Sequence, residues 1–458
     1  MRSVPADAGA KPRPNIILVV ADDLEASDLS AFPNIYSQLV RQGTAFERYF
    51  VTDSWCCPSR ASILRSQYVH SHGVYTNTAP EGGFGRFHAS GLESSTIGTW
   101  LKAAGYRTAL MGKYLNHYPG RAVPPTYVPP GWDEWHVPVR RLYAEYGYTL
   151  NENGTLRAYG HEAADYLSDV LAAKAAAFVS DPRQPFFLYL APIGPHQPAN
   201  PAPRHADAFA DAQAPRPPSF DQANVEAEPE WLRAVPRLRD GQVARIDERY
   251  RTRMRSMLGV DDLVGTVVGA LGRSGRLADT YLFFTSDNGF HLGTHRLALG
   301  KTTPFEESIR VPLVARGPGI AAGRTVTAMA ATVDLGPTFA ELAGTRAPDF
   351  AEGRSLVPVL TGGTPSQWRK NVLVEFYRPP GWTPVPGEAP PYRALRTADH
   401  TYVEYARGER QLYDLTADPY QLDNVVGRTP AEVVDRLART LHEMAVCSGA
   451  SCRVADTR

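Results

Sequence analysis

Short apolar runs alternate with longer amphipathic stretches along most of this chain. The first run, Asn15–Ala21, contains Ile16-Ile17-Leu18-Val19-Val20 without a break. It is β-branched and too short for a buried helix, so it predicts a strand covered on both faces. Similar runs at 107–111, 185–191, 280–285 and 311–315 predict further strands. Between them, helical spacing predicts helices over 35–42, 96–104, 163–179, 249–271 and 335–343. The alternation predicts an α/β fold with a mostly parallel central sheet sandwiched by helices. In such sheets the loops at the carboxyl ends of the strands build the functional site. Residues 200–242 break the alternation; they are rich in Pro and Ala, lack a period, and predict a loop shaping the entrance to that site. Beyond 361–369 the texture changes again. Short strands are expected at 372–377, 392–397, 401–405 and 411–414, and a closing helix at 430–444. The chain thus divides into a tail (1–13), a main domain (14–365) and a smaller C-terminal subdomain of antiparallel sheet plus helix (366–458).

At 458 residues with 43% hydrophobic content, the chain can fill one large core and a smaller one. Its formal net charge is zero, so no global field attracts nucleic acid or an anionic membrane, and an anionic ligand needs a local basic pocket. No apolar stretch approaches the ~20 residues of a membrane span. Residues 1–14 lack the apolar centre of a signal peptide, which leaves a cytosolic chain or one whose export signal has been removed. Cys447 and Cys452 flank a short loop that a disulfide can close in an oxidising compartment, although two free thiols would look the same. That pair favours a periplasmic or extracellular protein.

Cys56-Cys57-Pro58-Ser59-Arg60 precedes an amphipathic segment at 61–68. A cysteine opening a helix has a lowered thiol pKa, because unpaired amides and the helix dipole favour an anion there, and Arg60 would add to the effect. Two small buried residues at a loop–helix junction are the plainer reading. The pentapeptide, however, fits the Cys-x-Pro-Ser-Arg signature of the sulfatase family, which the chain closely resembles. Ala61-Ser62-Ile63-Leu64 continue the family pattern, while Arg65-Ser66 replace its usual Thr-Gly. The run Gln411-Leu412-Tyr413-Asp414-Leu415 with Asp418-Pro419 and Asn424 resembles the sulfatase C-terminal subdomain. The resemblance implies an alkaline-phosphatase-like fold. It also implies that a formylglycine-generating enzyme oxidises Cys56 to formylglycine (3-oxoalanine), whose hydrate is the nucleophile.

Asp22 and Asp23 close one apolar run, and Asp287 and Asn288 close another. Three carboxylates and an amide oxygen form a hard, oxygen-only set suited to Ca²⁺ or Mg²⁺ rather than zinc. Taken singly, Asp-Asp and Asp-Asn-Gly are ordinary turn residues. The resemblance implies that these four hold a divalent cation, usually Ca²⁺, with modified Cys56 completing the shell.

Hydrolysis of a sulfate ester needs fixed cations around the sulfuryl oxygens and a proton donor for the leaving oxygen. Arg60, Lys113, His196 and Lys301 supply candidates. The resemblance implies that Lys113, His196 and Lys301 grip the sulfate and assist the leaving group, with protonation falling to His196 or Lys301. Many sulfatases carry a histidine two residues after the lysine matched by Lys113; here Leu115 stands there, in a Gly112-Lys113-Tyr114-Leu115-Asn116 run like that of glucosamine-6-sulfatase-like members. His117, His291 and His295 are the remaining candidates for sulfate release or substrate contact. Trp132, Trp135, Tyr143, Tyr146 and Tyr148 can stack on a sugar ring or serve as packing. The resemblance implies a hydrolase of sulfated sugars or aryl sulfates. A phosphonate or phosphate ester hydrolase, and a non-catalytic sulfated-glycan binder with unmodified Cys56, are the alternatives.

Overall fold

All seven residues of β1 (Asn15–Ala21) are buried, and its side chains divide between two cores. Ile16, Leu18 and Val20 enter one cluster, while Ile17, Val19 and Ala21 enter another. That division is the period-2 alternation of a strand with both faces covered. The computed structural model describes residues 13–27, 29–183 and 185–458; of the expected tail, all but Arg13 lies outside them.

The remaining strands of the main region are β2 (Thr44–Phe46), β3 (Tyr49–Phe50), β4 (Arg107–Gly112), β5 (Glu134–Arg140), β6 (Thr149–Glu152) and β7 (Thr155–Ala158). They continue with β8 (Phe186–Ala191), β9 (Thr280–Ser286), β10 (Leu313–Arg316), β11 (Arg324–Val326) and β12 (Ala330–Ala331). Among the described residues, ten of them form one sheet in the order β11-β2-β10-β9-β1-β8-β4-β5-β6-β7. Its centre, β9-β1-β8-β4-β5, is parallel. Antiparallel pairing enters at both sides, where β10 joins β9 and β6 joins β5. One face is covered by the helices at Leu167–Ser180 and Asp240–Arg273. The other is covered by Cys56–Arg65, Ile97–Ala103 and Leu335–Leu342.

The sheet is the mostly parallel one that the apolar runs imply, with four corrections of detail. The run at 311–315 forms β10, which is antiparallel. The helix expected from 249 begins at Asp240, because its first turns are mostly solvent-facing and bury a single apolar side chain, Ile246, which leaves no period to read. Polar contacts hold them beside Ile246: the Asp247 carboxylate accepts from the amide of Ala214 at 3.0 Å and from Arg216 at 2.6 Å. Residues 35–42 give a π-helix over Ile35–Val40. The segment expected to be amphipathic at 61–68 belongs to a helix, Cys56–Arg65, whose ten residues are all buried.

A second sheet, β13 (Asn371–Phe376), β14 (Tyr392–Thr397), β15 (His400–Tyr405) and β16 (Arg410–Asp414), is antiparallel throughout. The helix Ala431–Met444 packs on it through Val434, Leu437 and Leu441. Cys447 and Cys452 are joined by a disulfide. The core of this sheet is continuous with the cluster beneath the main one.

Arg369 ties the two regions. Its guanidinium donates to both Asp334 oxygens at 2.7 and 2.8 Å and to Asp456 at 2.9 Å, with all three side chains removed from solvent. Removing one partner of such a group leaves uncompensated buried charge. Arg369→Ala is therefore expected to lose about 3–5 kcal/mol of stability, read as a lowered denaturant midpoint.

Candidate active site

Asp22 and Asp23 leave the carboxyl end of β1, Lys113 that of β4, and Asp287 and Asn288 that of β9. His196 follows β8 after a short turn. Backbone bonds lock these ends together: the amides of Asp22, Lys113 and Asp287 donate to the carbonyls of Gly194 (3.1 Å), Ala191 (2.8 Å) and Ala21 (3.2 Å). Gly112 makes the close passage beside Lys113 possible. At its φ of +100°, a Cβ would lie 2.0 Å from the Ala191 carbonyl oxygen, so no other residue fits.

Cys56 opens its helix directly over these loops. The Cys57 amide donates to Asn77 Oδ1 at 2.8 Å, and Pro58 lies in the first turn, where a missing N–H costs little. Ser59 Oγ donates to the Asp287 carbonyl at 2.5 Å. Arg60 Nε donates to Asp287 Oδ2 at 2.7 Å, and its Nη1 donates to the Lys113 carbonyl at 3.0 Å. Ser59 and Arg60 thus fasten the helix start to two of the strand ends.

One ligand atom from each of Asp22, Asp23, Cys56 and His196 lies within 4.8 Å of the others. Lys113 Nζ donates to Asp22 at 2.7 and 2.9 Å. Lys301 Nζ reaches Asp23, Cys56 Sγ at 2.7 Å and Asn288 Oδ1 at 3.3 Å. Asp287 stands beside this group, with one oxygen accepting from Arg60 and the other from the Asp23 amide at 3.1 Å. His196 comes closer to the group than its sequence context indicates, its Nε2 lying 3.8 Å from Asp23 Oδ2.

Burial favours protonation of Asp22 and Asp23, yet the cations outweigh it. Lys113 holds the Asp22 carboxyl below the usual range, and Lys301 does the same for Asp23. Asp287 is raised, because burial there exceeds the pull of Arg60. The Cys56 thiol is pushed up to about 12 by burial, with Asp287 and Asp23 adding to the effect against Lys113 and Lys301. This corrects the lowered thiol pKa expected from a helix start: full burial and adjacent carboxylates exceed a helix-end effect.

The carboxyls of Asp22, Asp23 and Asp287 are matched in number by the cationic side chains of Arg60, Lys113 and Lys301. A pocket so balanced gains attraction for an anion when a further cation joins it. The ammonium of Lys301, held between Asp23 and Asn288 Oδ1, shows that positive charge is accommodated there. Carboxylate and amide oxygens suit Ca²⁺ or Mg²⁺, whereas the Cys56 sulfur does not.

The three further histidines make no hydrogen bond to this group. His117 is exposed, in a left-handed turn. His291 is buried between Thr294 Oγ1 and Thr303 Oγ1, both at 2.6 Å, and burial pushes its pKa down to about 4. His295 is buried, bonded to Gln222 at 2.9 Å and stacked on Phe305. Of the five aromatics, Trp132, Trp135 and Tyr148 are core residues. Tyr146 lies tilted against Tyr166, and Tyr143 reaches the site, where its ring stacks on His196. The 200–242 segment lies along the loop after Asn288. The Asp221 amide donates to the Gly293 carbonyl at 2.8 Å and the His295 amide to the Ser219 carbonyl at 2.7 Å.

The sequence model of the family described as Sulfatase matches residues 14–345. The chain belongs to the sulfatase family. A second model, described as N-sulphoglucosamine sulphohydrolase, C-terminal, matches residues 293–446. The N-acetylglucosamine-6-sulfatase of Capra hircus is 32% identical over 480 residues, covering 96% of this chain and 85% of that one. A structure solved in complex with its substrate, D-glucosamine-2-N,6-O-disulfate, aligns with a TM-score of 0.80 at 24% identity over 97% of this chain and 99% of the other. The phosphonate monoester hydrolase of Agrobacterium radiobacter aligns with a TM-score of 0.74 at 24% identity over 94% and 95% of the two chains. This sulfatase is therefore a sulfuric ester hydrolase with the alkaline-phosphatase-like architecture.

The sulfatase also carries a buried acid that its sequence does not advertise. Glu145 follows Tyr143 by two residues and accepts from the Ser168 amide and hydroxyl, each at 3.1 Å. Burial pushes its carboxyl up to about 8 despite those bonds. Between its ordinary value and about 8, the folded chain keeps a proton that the unfolded chain has lost, so stability falls as pH rises through that window. Unfolding free energy is expected to drop by on the order of 2–4 kcal/mol from about pH 5 to about pH 8.5, and Glu145→Gln to flatten the curve, as read by denaturant titrations at both pH values.

Proposed function

We propose that this sulfatase releases inorganic sulfate from sulfated sugars, N-acetylglucosamine 6-sulfate units among them, and acts on aryl sulfates as simpler substrates. Its nucleophile is formylglycine made from Cys56 by a formylglycine-generating enzyme, and its cation is Ca²⁺ held by Asp22, Asp23, Asp287 and Asn288. The observation that carries this reading is the convergence of Asp22, Asp23, Cys56 and His196 within 4.8 Å. The relationship to N-acetylglucosamine-6-sulfatase supports the choice of sugar. The Cys447–Cys452 bridge supports action outside the cytosol, in the periplasm or extracellular space.

When present, the hydrated aldehyde supplies the attacking hydroxyl and the cation a Lewis acid beside it. The chain's own side chains do the rest. Lys113 and Lys301 already lie against the carboxylates of the group, so their ammonium groups are placed to take two sulfuryl oxygens. Arg60 keeps Asp287 turned toward the group and prevents the strand ends from separating under their like charge. His196 Nδ1 bonds the Gln197 carbonyl at 2.6 Å; a carbonyl can only accept, so Nδ1 bears the hydrogen and Nε2 faces the group. As the imidazolium, with a second hydrogen on Nε2, the ring would pass that proton to the departing sugar oxygen and return to the neutral form with Nδ1 still bonded to Gln197.

Cys56→Ala is expected to have no turnover. Cys56→Ser retains one attacking hydroxyl but not the second needed to expel sulfate, so it should take up one sulfuryl group per chain and stop, as read by intact mass. Peptide mass spectrometry across residues 55–60 of the active native protein should find an aldehyde; an unmodified thiol there overturns the reading. Chelation with EDTA should abolish activity, and Ca²⁺ should restore it. Faster hydrolysis of an aryl phosphodiester than of an aryl sulfate would instead favour the phosphonate hydrolase chemistry of the structural neighbour.

A further inference from the structure

The His196 ring bonds the Gln197 carbonyl at Nδ1 and approaches Asp23 to 3.8 Å at Nε2, and both contacts lie at its edge. A third side chain covers its face. The phenol ring of Tyr143 lies parallel to it, with centroids 3.9 Å apart and planes inclined by 12°. Tyr143 arrives from a different part of the fold, the short turn Leu142–Ala144 between β5 and β6. Two independent anchors hold that turn. Asn200 Nδ2 donates to the Ala144 carbonyl at 2.9 Å, and buried Glu145 is fastened to Ser168 at the start of the helix Leu167–Ser180. The Tyr143 ring also touches the other side of the site. Lys113 Nζ lies 5.1 Å from its centroid, and Asn116 Nδ2 lies 3.3 Å from its hydroxyl oxygen. One face is spent on His196, so that face is closed to a sugar ring.

We infer that Tyr143 is a positioning residue, which holds the His196 imidazole with Nε2 aimed at the leaving oxygen. The inference rests on the reading of His196 as the proton donor given above. Stacked aromatic pairs favour an offset parallel arrangement, so the flat ring of Tyr143 restricts rotation of the imidazole about its Cβ–Cγ bond. The phenol hydroxyl is not needed for this; the ring is.

Two aryl sulfates separate the possibilities, because a 4-nitrophenolate leaves without help while a 4-methoxyphenolate needs a proton. Tyr143→Phe should keep kcat on both within about threefold, since it keeps the ring. Tyr143→Ala should lose kcat about 30- to 100-fold on 4-methoxyphenyl sulfate and less than about fivefold on 4-nitrophenyl sulfate, with KM little changed. His196→Gln should show the same selectivity, more strongly. In ¹H–¹³C NMR spectra, the His196 Cε1–H signal, identified by its loss in His196→Gln, should be shifted by the Tyr143 ring current. It should keep that shift in Tyr143→Phe and lose it in Tyr143→Ala. Equal losses on both sulfates for Tyr143→Ala, or a change in KM alone, overturn the inference while a selective His196→Gln leaves the role of His196 standing. Equal losses for His196→Gln overturn that role itself. An unmoved His196 signal in Tyr143→Ala overturns the stacking on which the inference depends.

Discussion

Arg60 and Asp287 meet out of contact with solvent, and the geometry of the site is built outward from that pair. Asp287 ends one central strand and Asp22 and Asp23 end its neighbour, so folding brings three carboxylates into a space from which water is largely removed. Left alone they would repel one another or take up protons. Arg60, delivered by the helix that carries Cys56, and Lys113, delivered by β4, offset that repulsion while bonding to the backbone and carboxylates of the same loops. The ion pairs therefore fix where the thiol stands relative to the acids. The signature residues Ser59 and Arg60 serve this attachment, which is a structural requirement before it is a chemical one.

The central sheet was readable because its strands are buried on both faces and leave uninterrupted apolar runs. The edges were not. β6 and β7 pair as a polar hairpin, Glu152 and Thr155 carry no apolar signal, and β2 has three residues. Asp22, Asp23, Cys56, Lys113 and Lys301 were recognisable because each sits in a short local motif, and the structure brings them together. Depth was not readable. A helix start suggests an acidic thiol, yet the opposite holds for Cys56 because all ten residues of its helix are buried. Likewise, His291 and His295 lie beside the Asp287–Asn288 motif in sequence, but their rings turn to Thr294, Thr303 and Gln222. Tyr143 stood among five aromatics with nothing to distinguish it. Its partner His196 is more than fifty residues away, and only the return of β8 beside β4 brings them into contact.

The C-terminal sheet takes part in shaping the site without lending it a side chain. The Glu375 amide donates to the Thr52 carbonyl at 2.9 Å, and Ser54 Oγ shares a 2.8 Å bond with the Tyr392 hydroxyl. Both bonds fall on the segment that leads into Cys56. His70, just beyond the same helix, bonds Glu375 at 2.7 Å and the Cys447 carbonyl at 2.9 Å. The approach to the helix start is thereby braced by β13, β14 and the disulfide loop, and this explains why the two regions share one apolar core.

Cys56 is only 1% exposed, at the start of a helix whose ten residues are all buried. In the folded chain this sulfur is therefore out of reach of another macromolecule's active site. An enzyme acting on the Cys56 side chain, as the proposed maturation requires, would have to meet it before β1 and β9 close beneath the helix.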